Sequence, residues 1–196
     1  FGETPEQIGL DEALTKLKPL LEDDAVLKVG QNLKYDMGVL AQHGVQITPF
    51  DDTLVMSFNL DAGLHGHGMD ELSKLHLGHE CISFKALTGT GKKAIGFAEV
   101  PLEKATEYGA EDADVTLRLW EILRLRMVPE RATRIYQMVD RPLVPAIAGM
   151  EAPGVPVTRD ELARLSKKFA EAMDKLEAPI TELGGQPFSL GNTKQL

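Results

Sequence analysis

The sequence predicts an α/β layer fold, of a size to hold one good hydrophobic core, or one domain and part of another. Three observations predict it. Two short apolar runs, "AVLKVG" and "VQITPFDD", have strand length and alternate with segments of helical periodicity. Hydrophobic residues make up 43% of the 196 residues and charged residues 26%, an ordinary globular balance. No apolar run approaches the roughly 20 residues that span a bilayer, and no signal-peptide pattern opens the chain, so no membrane partner is expected.

Each element has a local reason. "LDEALTKLKPLLEDD" is amphipathic and predicts a helix over residues 10–22. "AVLKVG" reads as a buried strand ending at Gly30. Asn32 suits a helix N-cap, its side-chain oxygen meeting free backbone N–H groups. The helix "LKYDMGVLAQH" then stops at Gly44, a residue that tolerates the left-handed position after a helix. "VQITPFDD" holds the second strand, and "TLVMSFNL" and "MDELSKLHLG" are helical. Residues 88–100 read as loop and residues 101–127 as one long helical region, with a break at Pro129. More helices follow, then an extended "GVPVT" and a helix over residues 159–177. The sheet is small for an α/β protein, which points to strands upstream of Phe1.

Net charge is −9. A protein that grips duplex phosphates broadly is usually basic, so a stand-alone nucleic-acid glove is not expected. An acidic enzyme that holds cations and meets nucleic acid at one end remains. The single cysteine, Cys81, allows no internal disulfide, and a reducing cytoplasm is the expected setting.

Within "YGAEDADV" three acids fall in four residues. Steps of three and four place Ala105, Tyr108, Asp112, Val115, Leu119 and Ile122 on one helix face, apolar except near Asp112. Glu111 and Asp114 lie off that face and read as solvated surface, with Asp114 spaced to pair with Arg118. In "NLKYDMGVL", Asp36 shares a face with Leu33, Met37 and Leu40. Two acids within apolar stripes either converge on a hard cation such as Mg²⁺ or are satisfied locally by a lysine or a backbone N–H. A pair of such cations would stabilise the attacking and leaving oxygens of a phosphodiester displacement.

At these residues the chain resembles a known family. "VGQNLKYD" and "YGAEDAD" are similar to the second and third motifs of the proofreading 3′–5′ exonuclease domain of the bacterial DNA polymerase I family (family A). "FDDTLVMSFNLD", "MDELSKLHLG" and "ISFKALTGTGKK" resemble the family in order and spacing. "RPLVPAIAGMEAPGVPVTRDEL" and "PFSLGNTKQL" resemble the opening of its polymerase domain, with Ser189, Gly191 and Asn192 departing from the usual pattern. The resemblance implies an α/β, ribonuclease H-like 3′–5′ exonuclease fold, N-terminally truncated, over residues 1–128. A mainly helical segment, residues 129–196, would open the polymerase domain.

The resemblance also implies roles. Asp36 and Asp112 would hold metal, two Mg²⁺ or Mn²⁺ ions in the intact domain. The Tyr108 hydroxyl would orient the attacking water. Gln31 and Asn32 would flank the single-stranded 3′ end of DNA. Phe84 would lie beside the bound bases, or else be a plain core residue. The remaining partner would be the rest of the polymerase chain in cis. The family's first motif, Asp-x-Glu, occurs nowhere in these residues and is expected upstream of Phe1. The implied function is 3′-terminal hydrolysis of DNA within a DNA-directed DNA polymerase of replication and repair, the fragment alone being inactive. The alternatives are an inactive exonuclease-fold scaffold and a ribonuclease D-like RNA-trimming enzyme.

Other signals are discounted. His65, His67, His76, His79 and Cys81 match no standard zinc spacing, and the flanking glycines read as a turn before a helix. "GTGKK" lacks the serine or threonine of a phosphate loop, Lys93 standing there instead. Trp120, Leu123 and Leu125 read as helix packing.

Overall fold

The computed structural model describes residues 7–184, in two compact units that divide between Ala152 and Pro153. Within the first unit, strand β1 (Lys28–Gly30) pairs in parallel with β2 (Phe50–Asp52), with Val29 opposite Asp51 and Gly30 opposite Asp52. Parallel strands need a crossover. Helix α2 (Leu33–Ala41) supplies it, and the chain leaves it through Gly44, whose φ of +68° fits the glycine stop. Helix α1 (Leu10–Leu21) precedes the sheet.

The entry to α2 differs from the sequence expectation. Asn32 sits at the N-cap in the left-handed conformation, φ 58°, and its side chain caps nothing. The cap comes from across the sheet. The Asp52 carboxylate, 1% exposed, accepts from the Asn32 N–H at 3.0 Å and the Leu33 N–H at 2.8 Å. The same side chain caps α3 (Thr53–Asp61) by accepting from the Leu54 N–H at 2.9 Å. One carboxylate therefore serves two helix starts, because the parallel register places Asp52 opposite Gly30, just before α2. Gly30 has no room for a side chain: a Cβ there would collide with buried Leu33.

The long helix α6 (Leu102–Met127) is the spine of this unit. Its Val115 and Leu119 pack on Leu72 of α4 (Met69–Leu77). Its Leu123 and Met127 pack on Met56 of α3, with Ala132 and Tyr136 closing the cluster. Each fully buried aliphatic side chain contributes about 1.5–3 kcal/mol, so these two clusters fix the position of everything else on α6. A short helix α5 (Phe84–Thr88), not expected from the sequence, leads into the stretch expected as loop, which contains two single 3₁₀ turns, Gly91–Lys93 and Phe97–Glu99.

After α6, helix α7 (Thr133–Ile135) passes through a π turn (Tyr136–Asp140) into α8 (Arg141–Glu151). The π turn aims Tyr136 inward, where its hydroxyl donates to Asp51 Oδ1 at 2.9 Å and accepts from the Asp52 N–H at 3.0 Å. Residues through Glu151 thus belong to the same compact unit as the strands. In the second unit, α9 (Arg159–Gly184) extends past the expected end at residue 177, since Leu176, Ile180 and Leu183 continue its apolar spacing. Ser189, Gly191 and Asn192 lie outside the described residues. Among the described residues, no helix is long and apolar enough to cross a membrane.

Candidate functional site

A cavity of about 440 Å³ opens between the C-terminal end of β1, α2 and α6. Gly30, Gln31 and Asp36 line one side; Asp112 and Thr116 line the other, with Met69 at the edge. The helical phase expected from the sequence accounts for this. Val115 and Leu119 are buried against α4, so Asp112, one turn earlier on the same face, is carried to the rim of the core. Asp36 reaches the cavity from the first turn of α2.

The two acids are poised differently. Asp112 Oδ1 is buried and has no hydrogen-bond partner in the protein. Burial raises the Asp112 pKa, Glu111 and Asp70 push it the same way, and the neighbouring Tyr108 hydroxyl opposes them. Asp36 keeps more contact with solvent, yet partial burial of its carboxyl also raises its pKa, against a backbone N–H that lowers it. A buried, unpartnered carboxylate oxygen and a second, partly buried carboxyl on one cavity fit a hard divalent cation, which takes oxygen ligands and relieves the desolvation. Thr116 adds little, since its hydroxyl is turned to Met69 Sδ at 3.5 Å.

Tyr108 stands outside the cavity lining, one turn before Asp112. Its pKa is raised by burial and then by the Asp112 charge. Its ring meets Phe84 and Phe97 at centroid distances of 6.5 and 6.1 Å, and those two rings stack at 5.9 Å. Phe84 is 51% exposed and Phe97 44% exposed, so the trio is an open aromatic surface rather than core. Phe97 was not legible in the sequence, because it stands in a 3₁₀ turn without periodicity.

Glu111 corrects the expectation of a solvated acid. Its carboxylate accepts from the Ile82 N–H at 2.6 Å and meets His79 Nε2 at 2.7 Å, which lowers its pKa. The side chain reaches back from α6 to pin the loop after α4, a partner that helical phase alone does not reveal. Asp114 does pair with Arg118, at 3.3 Å. Gln31 has both ends of its amide engaged: Nε2 donates to the His67 carbonyl at 2.8 Å, and Oε1 accepts from the Thr53 hydroxyl. Asn32 faces a separate cavity of about 240 Å³ with Lys34, Phe58 and Leu143.

The sequence reading also missed Asp51 and Asp52. Asp51 accepts from Trp120 Nε1, Tyr136 and Arg141 at 2.9–3.0 Å, and so joins β2 to α6 and α8. The pair Asp52–Thr53 ahead of an apolar run was a readable cap signal. Its reach to α2 was not readable.

This geometry belongs to a recognisable class. The model of the 3′–5′ exonuclease domain of family A DNA polymerases matches residues 4–128, more than half of the chain. The chain belongs to that 3′–5′ exonuclease family, and its fold is the ribonuclease H-like 3′–5′ exonuclease fold, here mostly helical with two strands among the described residues. Among particular proteins, it is 47% identical over 195 residues to DNA polymerase I of Rhizobium leguminosarum, covering 100% of this chain and 19% of the relative. It is 42% identical to DNA polymerase I of Pseudomonas aeruginosa, covering 98% of this chain and 22% of the relative. The chain therefore spans about a fifth of the length of the curated relatives it matches. Two solved structures share the fold. The POL domain of Pol1 from M. smegmatis, in complex with DNA primer-template and dNTP, superposes with a TM-score of 0.69 at 19% identity, covering 96% of this chain and 30% of that one. Brucella melitensis NrnC with bound Mg²⁺ superposes with a TM-score of 0.58 at 24% identity, covering 70% of this chain and 64% of that one.

Proposed function

We propose that this chain is the proofreading region of a DNA-directed DNA polymerase of the DNA polymerase I type, working in the cytoplasm, and that its cavity is part of the centre that hydrolyses the 3′-terminal phosphodiester of DNA. The observation that carries this reading is the buried, unpartnered Asp112 Oδ1 on the same cavity as Asp36. Asp36 and Asp112 would hold Mg²⁺ or Mn²⁺, which when bound supplies polarisation of the scissile phosphate and activation of water.

The chain's own residues do the rest. A single-stranded 3′ end lies with its bases against the open faces of Phe84 and Phe97. Stacking there holds the terminal nucleotide without reading its identity, as a proofreader of any mismatch requires. The Tyr108 hydroxyl, kept protonated by burial and by the Asp112 charge beside it, positions the attacking water. The water oxygen bonds to phosphorus, the 3′ oxygen of the penultimate nucleotide departs, and a nucleoside monophosphate is released. Gln31 is held at the cavity wall by its bonds to the His67 carbonyl and the Thr53 hydroxyl.

The test uses the longer protein that carries this chain. Asp112→Ala should abolish trimming of a labelled single-stranded oligonucleotide with Mg²⁺ and leave primer extension largely unchanged, while Asp114→Ala leaves both intact. Trimming that survives Asp112→Ala would remove Asp112 from the hydrolytic centre, and a wild-type protein that trims nothing would make the fold an inactive scaffold for the polymerase.

A further inference from the structure

A second group of metal-ligating side chains lies away from the Asp36–Asp112 cavity. We infer that Asp61, His65 and His76 form a site for a late first-row divalent cation, Zn²⁺ in the first instance. The carboxylate and one ring nitrogen of each imidazole lie within 4.8 Å of one another. These residues are brought together by the fold: Asp61 ends α3, His65 lies in the connection, and His76 is in the last turn of α4. Histidine spacing alone does not disclose the site, because the third ligand is an aspartate that only the α3–α4 packing brings in.

The hydrogen bonding prepares the site. His65 Nδ1 lies 2.7 Å from the Gly66 carbonyl oxygen, which can only accept. Nδ1 therefore carries the proton, and in the neutral ring Nε2 presents its lone pair. That Nε2 is buried, without a hydrogen-bond partner, 3.5 Å from Asp61 Oδ2. His76 Nε2 is likewise buried and unpartnered. An imidazole whose far nitrogen is fixed by a carbonyl is the usual arrangement around a bound zinc ion. Two imidazole nitrogens and a carboxylate are a donor set that zinc accepts, with a fourth position for water.

Asp61 has a second partner that fits this reading. Arg126 donates to both Asp61 oxygens at 2.8 Å, fixing the carboxylate plane, and each oxygen keeps a further lone pair. The Arg126 charge is offset by Glu130, held at 2.7 and 3.0 Å, so the Asp61–Arg126–Glu130 group carries one net negative charge toward the cation. A cation here would clip the α3–α4 connection at both ends. The same connection presents the His67 carbonyl that holds Gln31, so the clip would stiffen one wall of the other cavity.

The test is independent of the exonuclease reading. The longer protein carrying Asp36→Asn and Asp112→Asn, stripped of metal and kept in excess Mg²⁺, is titrated calorimetrically with Zn²⁺. One Zn²⁺ should bind per chain. His65→Gln and His76→Gln should each weaken binding at least about tenfold. X-ray absorption on the zinc complex without either histidine substitution should count two imidazole ligands and no sulfur, which decides the matter even if a histidine variant folds poorly. No uptake, uptake indifferent to both substitutions, or a sulfur ligand would overturn the proposal. A sulfur ligand would move the ion to the neighbouring His79, Cys81 and Glu111.

Discussion

The indole Nε1 of Trp120 donates to Asp51 Oδ2 across 2.9 Å, and this bond ties the helix that carries Asp112 to strand β2. Asp51 also accepts from Tyr136 and Arg141, so three elements meet on one carboxylate. The candidate site depends on this junction, because α6 must hold its phase relative to the sheet for Asp112 to face Asp36.

Tyr136→Phe tests the junction. The substitution keeps the ring in its cluster but removes a donor to Asp51 and leaves the buried Asp52 N–H unpaired. An unsatisfied buried donor costs about 1–3 kcal/mol. Urea denaturation should show a loss of about 2–3 kcal/mol with an unchanged slope. A loss under about 0.5 kcal/mol would show that the junction does not hold α6 in place.

Glu111 and Asp114 should separate cleanly. Glu111→Gln loses charge-assisted bonds to Ile82 and His79 and should destabilise by about 1 kcal/mol, discounted for its solvent contact. Asp114→Ala loses an exposed pair of ~0.3–0.5 kcal/mol. The Glu111 pKa is lowered from 4.5, so its contribution is present above that value and fades as pH falls through the folded pKa. The stability gap between wild type and Glu111→Gln should therefore close on acidification, as read from melting curves against pH.

Asp112 should behave in the opposite sense. Burial raises its pKa above 3.8, so the folded state holds the proton more tightly than the unfolded chain. Ionised Asp112 then costs stability at neutral pH, and the cost is relieved as pH falls through the folded pKa toward 3.8. Metal-free Asp112→Asn should melt higher than wild type at neutral pH, with the two converging in acid. Added Mg²⁺ should raise the wild-type midpoint more than that of the variant. A variant that melts lower at neutral pH would show that the Asp112 carboxylate is satisfied in the fold.

The aromatic surface should govern DNA affinity rather than turnover. Phe84→Ala and Phe97→Ala should each raise KM for a single-stranded oligonucleotide, by the equivalent of about 1–3 kcal/mol per stacked base, with little change in kcat. Equal losses in kcat would instead make the two rings supports for Tyr108.

The sequence by itself determined the longer helices, the two strands and the inward phase of Asp112. These are local: periodicity of three and four, the residues that start and stop helices, and the strand lengths all lie in contiguous residues. The sequence also singled out Asp36 and Asp112 as acids within apolar stripes, and the resemblance paired them. The tertiary structure alone decided what required distant residues to meet. It gave the cap of α2 to Asp52 rather than Asn32, because strand register places a carboxylate beside that helix start. It turned Glu111 from a surface acid into an anchor for the loop after α4. It gathered Phe97 with Phe84, and Asp61 with two histidines, across connections whose sequence carries no period. A side chain's direction follows from its own helix or strand; its partner follows from how the elements pack.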